Sequence, residues 1–345
     1  MSVNNNNLEE FSLKSFFVPF TTSKAIHWII FIGFSVYFIS LFNGFVWDDY
    51  PFLVNNTDIR SINIPHLFSK NIFNVASFYR PLPALYNAII YSMSGDTAFL
   101  YHFVQLILHC INTCLVYLLF KKFLGKYVSF FSSLIFLIHP INVEAVAYIS
   151  AANNELFFLF GMLALLISTK PKLQKTHYIL ICSLSLLSLL SRETGFAFLF
   201  LIVLFQFIYV RKRMLTLLSI ETLSLLLYFL LRFAYAGIYY TKSLTKYPIP
   251  IATLPLTERL VNVPSIITYY FSHIIYPAQF AVSQHWVVMD KTITNFYFPL
   301  LICSFIFIFF IAFGWYLYKK KRELFKLYLF FFTWFVLGLI FVIQI

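Results

Sequence analysis

Apolar runs long enough to cross a bilayer recur along nearly the whole chain, and they constrain its fold more than any other feature. A spanning helix takes roughly 20 mostly apolar residues, and in lipid only helices and closed barrels satisfy their own backbone. Such runs are expected at about 25–42, 97–120, 128–138, 155–168, 177–190, 195–210, 214–233, 296–318 and 327–345. With 61% of residues hydrophobic and 11% charged, the sequence predicts an all-α polytopic membrane protein. The expected architecture is a bundle of about nine transmembrane helices with two long outer loops, about 43–96 and 234–295, carrying interfacial helices. Residues 1–24 read as a cytoplasmic tail and 25–345 as a single transmembrane domain.

The charges sort by side. Loops 121–126, 170–175, 211–213 and 319–326, with Lys14 and Lys24, hold 16 of the 25 basic residues and oppose them only with Glu9, Glu10 and Glu323. That is the positive-inside pattern, and it puts the N-terminus in the cytoplasm. Asp48, Asp49, Asp58, Asp96, Glu144, Glu155, Glu193, Glu258 and Asp290 fall on the outer side. The chemistry is therefore expected on the outer face.

Several function classes drop out. The net charge of +12 is spread over short loops facing anionic lipid headgroups, so membrane lipids are the partners it implies and nucleic acid is not. The four cysteines, Cys110, Cys114, Cys182 and Cys303, lie inside expected spans; they read as packing residues and imply no disulfide framework. The first apolar run is long for a signal peptide and is followed by Asn43-Gly44-Phe45-Val46-Trp47. With no small-x-small cleavage site, it reads as a retained helix.

Stretches 62–68 and 82–93 are too short or too polar to span and are expected to lie in the interface. Residues 263–276 are apolar over only about 14 positions, below spanning length, and read as re-entrant or interfacial. Chemistry-bearing residues gather in four outer motifs. Trp47-Asp48-Asp49-Tyr50 puts two carboxylates side by side, an arrangement suited to a general base or to a pair of oxygen ligands; the competing reading is a solvated helix cap. Tyr79-Arg80-Pro81-Leu82-Pro83 offers a guanidinium fork for phosphate oxygens, against a simple interfacial arginine. His139-Pro140-Ile141-Asn142-Val143-Glu144 lacks zinc-protease spacing, and Asn153-Asn154-Glu155 closes its turn. Ionisable residues at membrane depth are functional candidates by default. Ser191-Arg192-Glu193-Thr194-Gly195 is either a structural ion pair or an anion contact.

Taken in order, Trp-Asp-Asp after the first helix, Tyr-Arg-Pro-Leu, His-Pro-x-x-x-Glu-Ala-Val-Ala after the third and Leu-Ser-Arg-Glu-Thr-Gly after the fifth resemble one family. The chain is similar to the membrane domain of the transmembrane-and-TPR O-mannosyltransferase-like proteins. These are relatives of the protein O-mannosyltransferases in the C-type glycosyltransferase (GT-C) superfamily. The resemblance extends to Thr257-Glu258-Arg259 and Tyr276-Pro277, with His109 and Asn112 on the second helix. Relatives carry further spans and a TPR array, which this sequence is not expected to contain.

The resemblance implies a GT-C-like bundle that transfers a hexose, such as mannose, from a polyprenyl-phosphate donor to an acceptor hydroxyl with inversion. An outer-loop acid would be the base, which maps onto Asp48 or Asp49. No cofactor is demanded; the one candidate is a divalent cation, Mg or Mn, on the same pair. Leaving phosphate needs cations, for which Arg80, Arg192 and Arg259 are the candidates, with Arg232, Lys242 and Lys246 in support. His139, Glu144, Asn154 and Glu193 are expected around the sugar or acceptor, whether protein or glycan, and a groove between helices around the prenyl tail. The membrane would be the plasma membrane in a prokaryote and the endoplasmic reticulum in a eukaryote. Two other readings stand beside it: a transporter of lipid-linked sugar, and an inactive relative scaffolding envelope assembly.

Overall fold

The structure, a computed structural model, describes residues 20–69, 78–235, 251, 254–278 and 287–342. Within them the α-helices are α1 (Thr22–Tyr37), α2 (Ile64–Phe68), α3 (Pro81–Ser94), α4 (Ala98–Phe120), α5 (Lys126–Ile138), α6 (Val143–Ala147), α7 (Ala152–Ser168), α8 (Lys175–Ser191), α9 (Phe196–Phe205), α10 (Met214–Tyr235), α11 (Leu256–Ile275), α12 (Phe298–Lys320) and α13 (Arg322–Ile340). Seven helical stretches are long and apolar enough to cross a membrane: Thr22–Phe42, Ala98–Phe120, Ile149–Ser168, Glu193–Val210, Met214–Tyr235, Ile293–Lys320 and Arg322–Ile340. The pair Lys126–Ile138 and Pro140–Ala147, bent by 51°, makes an eighth if taken as one span, and Lys175–Ser191 is a shorter apolar helix. The chain is an integral, multi-pass, all-α membrane protein.

The two short stretches of the first outer loop are helical, as α2 and α3. The segment 263–276 is part of a longer helix, α11, that begins at Leu256 and carries Pro264 inside it. Pro264 has no N–H to give the Leu260 carbonyl, while its own carbonyl accepts from the Cys303 thiol at 3.3 Å and ties α11 to α12. Lys242 and Lys246 lie outside the described residues.

Helix α7 is the central element, packed against α4, α8 and α9. In lipid, apolar packing gains little from excluding water, so close approach and polar cross-links hold helices together. Close approach is visible at Gly161 of α7, where a Cβ would overlap the Phe198 ring of α9. Cross-links run from Gln206 Nε2 to the Ser168 carbonyl (3.1 Å) and from Ser188 Oγ to the Phe157 carbonyl (2.8 Å). The buried core around α7 includes Leu119, Met162, Leu165, Leu201 and Phe330.

Helix α5 ends inside the bundle, and its C-terminal carbonyls would be orphaned in a membrane. Pro140 has no N–H to give the Phe136 carbonyl. Asn142 Nδ2 supplies it instead at 2.7 Å. The Leu137 carbonyl accepts from His109 Nε2 (3.0 Å) and Tyr37 Oη (3.2 Å), joining α5 to α4 and α1. The other nitrogen of His109 meets Glu155 Oε1 at 3.0 Å, and Asn112 Nδ2 reaches Glu155 Oε2 at 2.6 Å. Glu155 is thus not on the outer surface, as its place in the sequence suggested, but buried in the first turn of α7. A carboxylate buried next to apolar helices is tolerable only with such partners.

Replacing Glu155 with Ala removes the partner of His109 Nδ1 and one of the two acceptors of Asn112 Nδ2. It is expected to destabilise the bundle by about 3–5 kcal/mol, while Glu155→Gln, which keeps a hydrogen-bonding group there, costs less. Thermal unfolding in detergent micelles measures both.

Candidate active site

The Asp-Asp motif sits in a turn whose geometry separates the two carboxylates. Trp47 adopts a positive φ of 50°, a conformation that costs a bulky residue about 1–2 kcal/mol. The turn is closed reciprocally: Asp49 N–H donates to the Val46 carbonyl at 2.9 Å, and Val46 N–H donates to Asp49 Oδ2 at 2.9 Å. Asp49 Oδ1 accepts from the N–H (2.9 Å) and the hydroxyl (2.5 Å) of Ser150, just ahead of α7. Asp49 is fully buried and Asp48 is exposed. The adjacent pair is therefore one structural clamp and one available carboxylate.

This arrangement does not fit a divalent cation. Asp49 is surrounded by N–H and O–H donors rather than by further oxygen acceptors. Among the described residues no group of three His, Cys, Asp or Glu side chains could hold a metal ion.

Behind the turn, Gln105 of α4 donates to the carbonyls of Ala145 (2.6 Å) and Tyr148 (2.8 Å) and so fixes α6. Tyr148 closes that helix, and its hydroxyl accepts from Asp48 N–H at 3.3 Å. Burial, then the charge of Asp48, raises the Tyr148 pKa, so the phenol stays neutral. Glu144, in the first turn of the same helix, is exposed.

Arg80 and the Ser-Arg-Glu-Thr-Gly motif, far apart in sequence, meet directly. Arg80 Nε and Nη2 donate to Glu193 Oε2 at 2.9 and 2.7 Å, and Arg232 Nη1 lies 3.5 Å from Glu193 Oε1. Arg232 also donates to Tyr228 Oη at 2.7 Å. Arg192 is half-buried, and among the described residues its guanidinium makes no hydrogen bond or salt bridge. Its pKa is lowered by burial and then by the charge of Arg80, while Glu193 and Glu144 oppose the shift. One carboxylate is thus shared by two guanidiniums with a third beside them. Gly195 permits the motif to fold tightly: a Cβ there would come 2.8 Å from the Ser188 carbonyl carbon and oxygen.

The remaining candidates divide. His139 lines an apolar groove of about 400 Å³ between α4, α5, α7, α11 and α13, with Phe136, Phe158, Ile274 and Trp334 among its walls. Its Nδ1 accepts from Ile141 N–H (3.2 Å) and its Nε2 faces the Ile274 carbonyl (3.1 Å), which assigns the neutral Nε2–H tautomer. Asn154 is half-buried on the first turn of α7, and no hydrogen bond of its side chain occurs among the described residues. Arg259 does not join the Arg80–Glu193 group through any contact in the described residues; its Nε donates to the Leu254 carbonyl at 2.9 Å, ahead of its own helix. Sequence reasoning missed Ser150 and Tyr228. Ser150 is 101 positions from Asp49, and nothing local in Ile149-Ser150-Ala151 marks it.

Loss of the Asp49 clamp frees three donors, so Asp49→Ala is expected to lower stability by about 2–4 kcal/mol, whereas Asp48→Ala stays within about 0.5 kcal/mol. Gly195→Ala is expected to cost about 1–3 kcal/mol by forcing the Ser188 backbone aside. Thermal unfolding of the purified variants in detergent checks all three.

No family model matches the chain, and no solved structure does either. Among curated proteins, the human protein O-mannosyl-transferase TMTC3 is 30% identical over 157 residues, 43% of this chain and 17% of that protein. The Caenorhabditis elegans protein O-mannosyl-transferase F38B6.6 is 28% identical over 181 residues, 48% of the chain and 26% of the relative. Mouse protein O-mannosyl-transferase TMTC1 is 33% identical over 138 residues, 37% and 15% of the two chains. The chain thus covers about a quarter or less of the length of these relatives. Over that stretch it is a relative of the TMTC protein O-mannosyl-transferases.

Proposed function

We propose that this chain is a membrane glycosyltransferase domain that moves a hexose, as mannose, from a polyprenyl-phosphate donor to an acceptor hydroxyl. The observation that carries the reading is the surplus of guanidinium over carboxylate where Arg80, Arg192 and Arg232 surround Glu193, with Arg192 making no salt bridge among the described residues. An anion with several oxygens is the natural complement of that surplus. The positive-inside rule puts Asp48, Arg80 and Glu193 on the extracytoplasmic side and the N-terminus in the cytoplasm.

Asp48 is the base in this reading, because Asp49 is already committed to Val46 and Ser150. The acceptor hydroxyl gives its proton to Asp48, and its oxygen attacks the anomeric carbon from the face opposite the phosphate. The bond from that carbon to the phosphate oxygen breaks, and the electron pair leaves with the lipid phosphate. Charge grows on the departing phosphate as the bond breaks, so preset guanidiniums favour the transition state over the bound donor. Arg192 contributes most, because among the described residues it has no salt bridge to exchange for the ligand. The apolar groove beside His139, reached past α6, suits an isoprenoid chain.

Transfer of radiolabelled sugar from prenyl-phosphate donors, in membranes holding wild type or variants, tests this. Asp48→Asn is expected to lower the rate by about 10²–10⁴-fold and Arg192→Ala by about 10²–10³-fold. Wild-type rates in Asp48→Asn would remove the base assignment. If folded wild-type protein releases no labelled product from any prenyl-phosphate sugar, the transferase reading fails.

A further inference from the structure

A second cavity, of about 390 Å³, opens between α11 and the segment leading into α12. It falls at the lower end of the roughly 300–1,000 Å³ of small-ligand clefts. Its α11 wall is Ser265, Thr268, Tyr269 and Ser272, positions spaced i, i+3, i+4 and i+7 and so on one helical face. Thr294 and Asn295 stand opposite. No Asp, Glu, Lys, Arg or His is among the lining residues, in contrast to the guanidinium-rich site.

The hydroxyls have already spent their protons. Ser265 Oγ donates to the Asn295 carbonyl (2.6 Å), Ser272 Oγ to the Tyr269 carbonyl (2.7 Å) and Thr268 Oγ1 to the Pro299 carbonyl (3.4 Å). What each still offers is lone pairs. Asn295 Oδ1 accepts from Thr294 Oγ1 at 3.3 Å, which leaves its amide N–H groups as donors. Tyr269 adds an aromatic ring to this rim. A ligand that complements the cleft is uncharged, rich in O–H donors, and has one C–H face to lay on a ring. Val287, Val288 and Pro299 complete the lining and give the cleft an apolar wall beside the hydroxyls; a lipid phosphate fails on charge, and an acyl or prenyl chain would leave the free lone pairs and the Asn295 amide without partners.

We propose that this cleft is a binding subsite for a neutral saccharide, distinct from the donor-phosphate site. Helix α11 is the shared wall: its Ile274 lines the apolar groove and takes the His139 hydrogen bond, and its Tyr270 lies in the field of Glu144. The cleft therefore lies across α11 from the groove, where a sugar-bearing acceptor would be held while its free hydroxyl reaches the reaction centre. The subsite extends the transferase reading, but its occupancy is measurable without any transfer.

Saturation-transfer NMR on the purified chain in a sugar-free detergent, with methyl α-D-mannopyranoside as neutral probe and mannose 6-phosphate as charged comparison, tests the subsite. The neutral glycoside is expected to receive saturation and the phosphate less. Asn295→Leu and Tyr269→Ala are each expected to weaken the neutral signal at least tenfold, and Arg192→Ala to leave it unchanged. Asn295 is exposed, so its variant decides the matter if Tyr269→Ala does not fold. Absence of signal from the neutral glycoside, equal signal in Asn295→Leu, loss in Arg192→Ala or preference for the phosphate would each overturn the subsite. A chain that binds the glycoside but transfers no sugar would keep the subsite and lose only the transferase reading.

Discussion

The carbonyl of Leu137 is the point on which the rest of this structure depends. Helix α5 stops at Ile138 because Pro140 follows two residues later, and stopping inside a bundle exposes backbone acceptors where no water can serve them. His109 and Tyr37 answer that demand at Leu137, and Asn142 answers it at Phe136. His109 must then be held in turn, which Glu155 and Asn112 do. One proline thus obliges four helices, α1, α4, α5 and α7, to meet at one polar knot, and the loops that carry Asp48, Glu144 and His139 spring from its edge. In lipid such a knot determines which helices are neighbours, since apolar surface alone discriminates poorly among them.

The same economy appears in the two aspartates. A strained backbone at Trp47 is kept in place by Asp49, whose three hydrogen bonds exceed what the turn costs. Strain of that kind persists only where the surroundings over-determine it. The result is that Asp48 is presented outward with its N–H on Tyr148. Two carboxylates adjacent in sequence are given different surroundings, one buried and bonded and one exposed, by which of them faces Ser150.

Charge is distributed unevenly for a comparable reason. Glu193 neutralises Arg80 and approaches Arg232, while Arg192, half-buried beside Arg80, makes no salt bridge among the described residues. A protein that only needed this loop folded would gain by pairing that cation or replacing it. In the proposed function that cation is the one an anionic donor would complete. The uncharged hydroxyl stripe on α11 is the opposite design.

Much of this was legible in the residues themselves. Apolar runs and the side-sorting of lysine and arginine against carboxylates placed the helices to within a few residues, because membrane thickness and headgroup charge act on each segment locally. Pro140 announced the end of α5, and the motif order pointed to the relatives it does resemble. Sequence order also made Arg80, Arg192 and Glu193 candidates, but not partners; their meeting needs α3 and the α8–α9 turn to pack together. Glu155 looked like an outer-loop acid because it follows two asparagines, and only the fold turned it inward onto His109. Arg259 carried the right charge in a plausible motif, yet its guanidinium is engaged by the loop beside it. The Asp48–Asp49 division lay beyond sequence for the same reason, since Ser150 lies 101 positions away. Hydropathy and charge are properties of a segment and are written in it. Which carboxylate is spent on structure and which cation is left bare depend on contacts between distant segments, and only the folded chain decides those.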